Sequence, residues 1–206
     1  MSRKSDAIST VRRIVVVFDI CSSTTILEDL LRTENQRRWR NLLIGMKKAL
    51  VQEAAKNPFE IYKFVGDGWI LLFEDPSLSG TALLSLLTRL SLTYQHLFHH
   101  GICAVLGVAD VSIGLTFGVD SGTLVKIVMN NKGEYIGRAL NVASRLQSAV
   151  KDTGEDPADK LLISKNAYSR LKLASRKASR GTLVECNLRN VAGGERYQVR
   201  KLTLLS

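Results

Sequence analysis

Residues 12–20, RRIVVVFDI, form a β-branched apolar run without polar alternation, the pattern of a strand buried on both faces. Ser22, Ser23 and Thr24 follow as helix caps, predicting a short helix to about Leu31. From Asn35 to about Lys56, Trp39, Leu42, Leu43, Met46, Leu50 and Ala54 recur at three- and four-residue spacing against a basic face. That spacing predicts a longer amphipathic helix, which Pro58 ends. FEIYKFVGDGWILLF (59–73) places two apolar runs around Gly66-Asp67-Gly68, a hairpin signal.

The leucine-rich stretch from Ser79 to His100 reads as a buried helix. VSIGLTFGV (111–119) reads as a strand that turns at Asp120-Ser121-Gly122 into TLVKIVM. Leu140, Ala143, Leu146 and Val150 share one face of a helix over 137–150. The tail predicts a short strand LLIS, a helix near 165–174 and strands around 182–188 and 195–203. This order predicts an α/β (α+β) ferredoxin-like βαββαβ sandwich with extra C-terminal elements.

A chain of 206 residues, 45% hydrophobic, has the apolar content for a core and the length of a single domain, expected over 12–206 behind a polar leader, 1–11. No repeat or Pro/Ser-rich linker divides it. The longest apolar stretch is broken by Arg89, Gln95, His96 and His99-His100, so no spanning helix is expected. With no secretory signal, the expected location is cytoplasmic. Cys21, Cys103 and Cys186 are too few and too scattered for a disulfide framework or a zinc site. The net charge of +10 calls for a polyanionic partner without choosing among nucleic acid, membrane surface and nucleotide.

Two carboxylates stand out. Asp19 ends a buried strand and Asp67 sits at a hairpin tip, each in apolar surroundings that a carboxylate enters only when paired, hydrogen-bonded or metal-bound. Taken singly, Asp19 reads as a helix cap and Asp67 as a turn residue. Together they can hold Mg²⁺ or Mn²⁺, which share oxygen ligands with phosphates. Asn141 and Arg145, four apart on a helix, share a face that can converge on one anion. Gly133 and Gly137 frame a loop into that helix, a weak phosphate-loop signal. The histidines at 96, 99 and 100 read as a solvated helix end, Arg37, Arg38 and Arg40 as a solvated face, and Trp39 and Trp69 as core or interface anchors. The basic stretch 165–180 lacks the aromatic interleaving of single-strand binders, so nucleic acid is not the expected partner.

In order and spacing, FDICSSTTILE (18–28), YKFVGDGWILLF (62–73), GLTFGVDSGTLV (114–125) and GEYIGRALNVASRLQSA (133–149) resemble the catalytic motifs of class III nucleotidyl cyclases. The resemblance implies that Asp19 and Asp67, with the Ile20 carbonyl, bind two divalent metal ions (Mn²⁺ or Mg²⁺). It makes Lys63 and Glu134 the base-recognising pair, Phe18 and Ile20 further substrate contacts, and Asn141 and Arg145 the residues that orient the ribose and stabilise the transition state. It also implies a head-to-tail homodimer, one chain giving the aspartates and its partner giving Lys63, Glu134, Asn141 and Arg145.

Glu134 departs from the family pattern, where adenylate-making members place Asp or Thr. A lysine donor beside a glutamate acceptor suits adenine, cytosine or uracil. The longer glutamate favours a smaller base, and the motifs look most like those of bacterial pyrimidine cyclases in anti-phage signalling. The expected substrate is therefore UTP, then CTP. Adenylate cyclase activity and a silent nucleotide- or nucleic-acid-binding homologue are the alternatives.

Overall fold

The computed structural model describes residues 8–75, 78–129, 132–173 and 181–205. The first seven residues of the expected polar leader and the basic residues 174–180 lie outside them.

Strand β1 (Ser9–Ile20) begins three residues ahead of its apolar run. It is followed by α1 (Ser23–Arg32), α2 (Gln36–Lys56), the hairpin β2 (Phe59–Val65) and β3 (Gly68–Glu74), α3 (Gly80–Gly101), β4 (Leu115–Met129), β5 (Lys132–Ile136) and α4 (Arg138–Ala149). The C-terminal elements are β6 (Lys160–Ser164), α5 (Lys165–Arg170), β7 (Thr182–Cys186) and β8 (Tyr197–Thr203). One sheet runs β2-β3-β1-β4-β6-β8-β7, with β5 pairing β4. Its first four strands carry the expected ferredoxin-like order, and among the described residues only β4 and β6 pair in parallel.

Both faces of β1 are covered, which is why its sequence does not alternate. Ile14, Val16, Phe18 and Ile20 pack with α1, α2, α3 and α5, while Val15 and Val17 pack with α4 and Tyr135. Gly118 lets α4 lie against β4, since a Cβ there would sit 2.1 Å from the Ala143 carbonyl oxygen. On the opposite face Arg89 grips Glu53 through both carboxylate oxygens, at 2.6 and 3.2 Å, tying α2 to α3.

Five expectations need correction. The stretch between Gly133 and Gly137 is not a loop but strand β5, paired with β4. Asp120-Ser121-Gly122 is no turn: β4 runs straight through it, with Asp120 opposite Val15 and Ser121 opposite Ile14. Two of the polar groups that suggested a turn are satisfied across the sheet, where Ser164 donates to Asp120 (2.5 Å) and Asn166 to the Ser121 carbonyl (2.6 Å), while the buried Ser121 hydroxyl has no partner. Residues 111–114 precede the strand rather than belonging to it. The helix expected near 165–174 ends at Arg170. Ser22 occupies the N-cap of α1 but does not cap it. It is left-handed (φ 51°), and its hydroxyl accepts instead from the Ser112 N–H at 3.1 Å.

Candidate active site

Antiparallel pairing of β1 between β3 and β4 brings the end of β1 beside the tip of the β2–β3 hairpin. Gly66, with φ +67°, makes the tight reversal there. Gly68 permits the close approach: its missing Cβ would fall 2.2 Å from the Phe18 carbonyl oxygen and 3.0 Å from Asp19 Oδ1. Asp19 and Asp67 are thereby brought face to face. Burial first, and then the Asp67 charge, push Asp19 up to about 6, against smaller opposing pulls from Lys151 and the Ile20 backbone.

Asp67 Oδ2 is buried without a hydrogen-bond partner. Two close carboxylates, one with an orphaned buried oxygen, form an oxygen donor set that a hard divalent cation shared with phosphates fits. Among the described residues no group of three or more metal-binding side chains occurs, so remaining ligands would have to come from backbone, solvent or substrate. A cavity of about 400 Å³ opens over the pair, with Ser144, Gln147 and Ser148 of α4 on its far wall.

The Phe18 ring is fully buried, stacked on Trp69 at 5.4 Å, and Ile20 is buried in the same cluster. Their side chains belong to the core, so the expectation that they contact substrate can apply only to their backbone. Cys21, within the aspartate motif, is a buried thiol pushed up to about 12 by desolvation, which keeps it neutral.

Lys63 and Glu134 do meet. Lys63 Nζ donates to Glu134 Oε2 at 2.9 Å, and the Tyr62 hydroxyl donates to the same oxygen at 2.6 Å. The Tyr62 hydrogen bond and then Lys63 hold the Glu134 carboxyl below its usual range. Asn141 and Arg145 sit exposed on α4, outside the lining of the aspartate cavity. Ser148, which does line it, lies seven residues beyond Asn141, about 10 Å along the helix.

One chain thus carries the aspartates in a cavity whose lining includes none of Lys63, Glu134, Asn141 and Arg145. Sequence reasoning missed Tyr62, which carried no signal of its own. It also missed the buried link in which Gln147 donates to Thr116 (2.7 Å), whose hydroxyl in turn donates to the Asp19 carbonyl (3.4 Å). Gly118, a glycine within a strand, was the visible hint that a helix presses there.

Several solved structures superpose on this arrangement. A bacterial light-regulated adenylyl cyclase matches with a TM-score of 0.68 and 17% identity over 98% of this chain, which spans 54% of that protein's length. The adenylyl cyclase CyaB from P. aeruginosa matches with a TM-score of 0.62 and 25% identity over 94% of both chains. The chain has the nucleotidyl cyclase fold. The guanylyl cyclase Cya2 shares that fold with a TM-score of 0.64 and 16% identity, over 94% of this chain and 91% of its own. No protein-family model matches the sequence, and neither does any curated protein. On the cyclase fold, no helix among the described residues is long and apolar enough to cross a membrane.

Proposed function

We propose that the protein is a metal-dependent nucleotidyl cyclase that converts a nucleoside triphosphate into its 3′,5′-cyclic monophosphate and pyrophosphate. The observation that carries this reading is the Asp19–Asp67 pair with its orphaned buried oxygen, set on the cyclase fold. Two divalent cations, Mn²⁺ or Mg²⁺, held by Asp19, Asp67 and the Ile20 carbonyl, would supply Lewis-acid activation of the 3′-hydroxyl and neutralisation of the triphosphate. Arg145 meets the charge that develops as the 3′-oxygen bonds to the α-phosphorus and pyrophosphate departs, and Asn141 orients the ribose. Lys63 and Glu134 read the base.

The separation of these groups on one chain supports a homodimer whose sites are shared, the aspartates of one protomer facing Lys63, Glu134, Asn141 and Arg145 of its partner. The length of Glu134 and the motif resemblance support a pyrimidine substrate, UTP ahead of CTP, and a place in antiviral cyclic-nucleotide signalling. The 25% identity with an adenylyl cyclase favours ATP as the second reading.

Incubation with each of the four triphosphates and Mn²⁺, with products resolved by mass, tests these readings. Cyclic UMP or cyclic CMP is expected. Product from ATP alone overturns the pyrimidine assignment, and no product from any triphosphate overturns the cyclase assignment in favour of a silent nucleotide- or nucleic-acid-binding role.

A further inference from the structure

We propose that Tyr62 is a positioning residue that fixes the orientation of Glu134 and so decides which hydrogen-bonding face the site offers a base. The inference rests on the cyclase reading above and deepens its account of substrate choice.

Neighbouring residues of a regular strand point to opposite faces. Tyr62 and Lys63 are neighbours, yet both donate to Glu134 Oε2. A bulge in β2 makes this possible: Ile61 lies opposite Leu71 and Lys63 opposite Ile70, leaving Tyr62 as the extra residue. The bulge re-aims the two side chains so that a ring and an ammonium converge on one carboxylate oxygen.

The Tyr62 hydroxyl has no freedom to turn away. It accepts from the Tyr135 N–H at 3.0 Å, so its single proton is directed at Glu134. Its ring is held edge-on by Tyr135, centroids 5.1 Å apart, and the Tyr135 hydroxyl is anchored in turn on Glu60 at 3.0 Å. Glu134 Oε2 therefore receives two donors, while among the described residues none reaches Oε1. The carboxylate is locked with Oε1 as its acceptor for a ligand, beside the remaining N–H groups of Lys63. A base meets one acceptor next to one donor, in an order it cannot invert.

Without the hydroxyl, Glu134 is held by Lys63 alone, whose side chain is 49% exposed. The carboxylate then rotates, and ground-state recognition of the base suffers more than the chemical step.

The experiment measures KM and kcat for each triphosphate, and the product ratio in an equimolar mixture of all four, in wild type, Tyr62→Phe and Glu134→Gln. Tyr62→Phe should raise KM for the preferred triphosphate about tenfold, leave kcat within about threefold and flatten the product ratio. Glu134→Gln, with Tyr62 intact, must turn its amide oxygen toward the two donors and its NH₂ toward the base. Its KM for the same triphosphate should rise at least about tenfold, which keeps the test decisive if Tyr62→Phe fails to fold. Wild-type turnover with KM and product ratio unchanged in Tyr62→Phe overturns the positioning role alone, and KM unchanged in Glu134→Gln overturns the base-reading role of Glu134 and the positioning role with it. A wild-type chain that makes no cyclic product overturns the cyclase reading and this inference with it.

Discussion

Asp19 and Asp67 face each other across one cavity although 48 positions separate them in the chain. One ends the central strand and the other tips the adjoining hairpin, so sheet pairing alone brings two carboxylates together in a partly buried setting. Burial, and then the neighbouring Asp67 charge, hold the Asp19 proton well above the ordinary carboxylate range. The arrangement costs the fold stability and favours whatever positive charge enters it.

The sign of that cost is testable. The unfolded chain releases the Asp19 proton near 3.8, whereas the folded chain holds it to about 6. Between those values the native state binds more protons, so stability falls as pH rises from about 4 to 6 and stays lower above. Partial solvent access reduces the effect to about 1 kcal/mol. Asp67→Asn removes the opposing charge but not the burial, so without divalent ions its thermal midpoint at pH 7 should lie about 1–2 °C above wild type. It should also lose turnover and the midpoint rise that Mn²⁺ produces in wild type. An equal Mn²⁺ response in both proteins, read by thermal scanning, contradicts the metal assignment.

The two glycines flanking Asp67 should behave differently. At Gly66 the backbone is left-handed and a Cβ would meet nothing within 4 Å, so Gly66→Ala should cost about 1–2 kcal/mol from backbone strain and keep measurable activity. At Gly68 the Cβ would overlap the Phe18 carbonyl and crowd Asp19 Oδ1. Gly68→Ala should displace β3 from Asp19, cost about 3 kcal/mol and lower kcat at least about a hundredfold. Urea titration and steady-state rates compare the pair, and equal losses would mean that the close approach at Gly68 is unimportant.

Much of the sheet could be read from the chain because local patterns agreed with tertiary needs. Unbroken apolarity marked β1, helical spacing marked α2 and α4, and Gly66-Asp67 marked the hairpin. Asp120 misled because its partner, Ser164, lies 44 residues away in a strand whose pairing with β4 no local pattern announces. The aspartates were legible as polar intrusions in apolar runs. Tyr62 was not, because its role depends on a bulge that shows only in the pairing of β2 with β3.

Ser164 offers a test of that long-range satisfaction. Its hydroxyl donates to buried Asp120 and accepts from the Ala167 N–H, capping α5. Ser164→Ala strands both groups and should lower stability by about 2–3 kcal/mol. Because it lies away from the Lys63–Glu134 pair, the ratio of cyclic products should not change. A shifted ratio would mean that base choice depends on packing well beyond the residues that touch the base.

The dimer is tested by complementation. On the proposed reading, Asp67→Ala removes a metal ligand from one half of each shared site, and Arg145→Ala removes the cation from the other half. Each homodimer then has two broken sites and should be inactive. In a mixed dimer both lesions fall on the same site, leaving the other with intact aspartates from one protomer and an intact arginine from its partner. Random exchange at equal concentrations makes half the dimers mixed, so the mixture should recover about a quarter of wild-type turnover. Turnover that stays at the homodimer level after exchange, with subunit mixing confirmed by native mass spectrometry, would mean that Asp67 and Arg145 act within one chain.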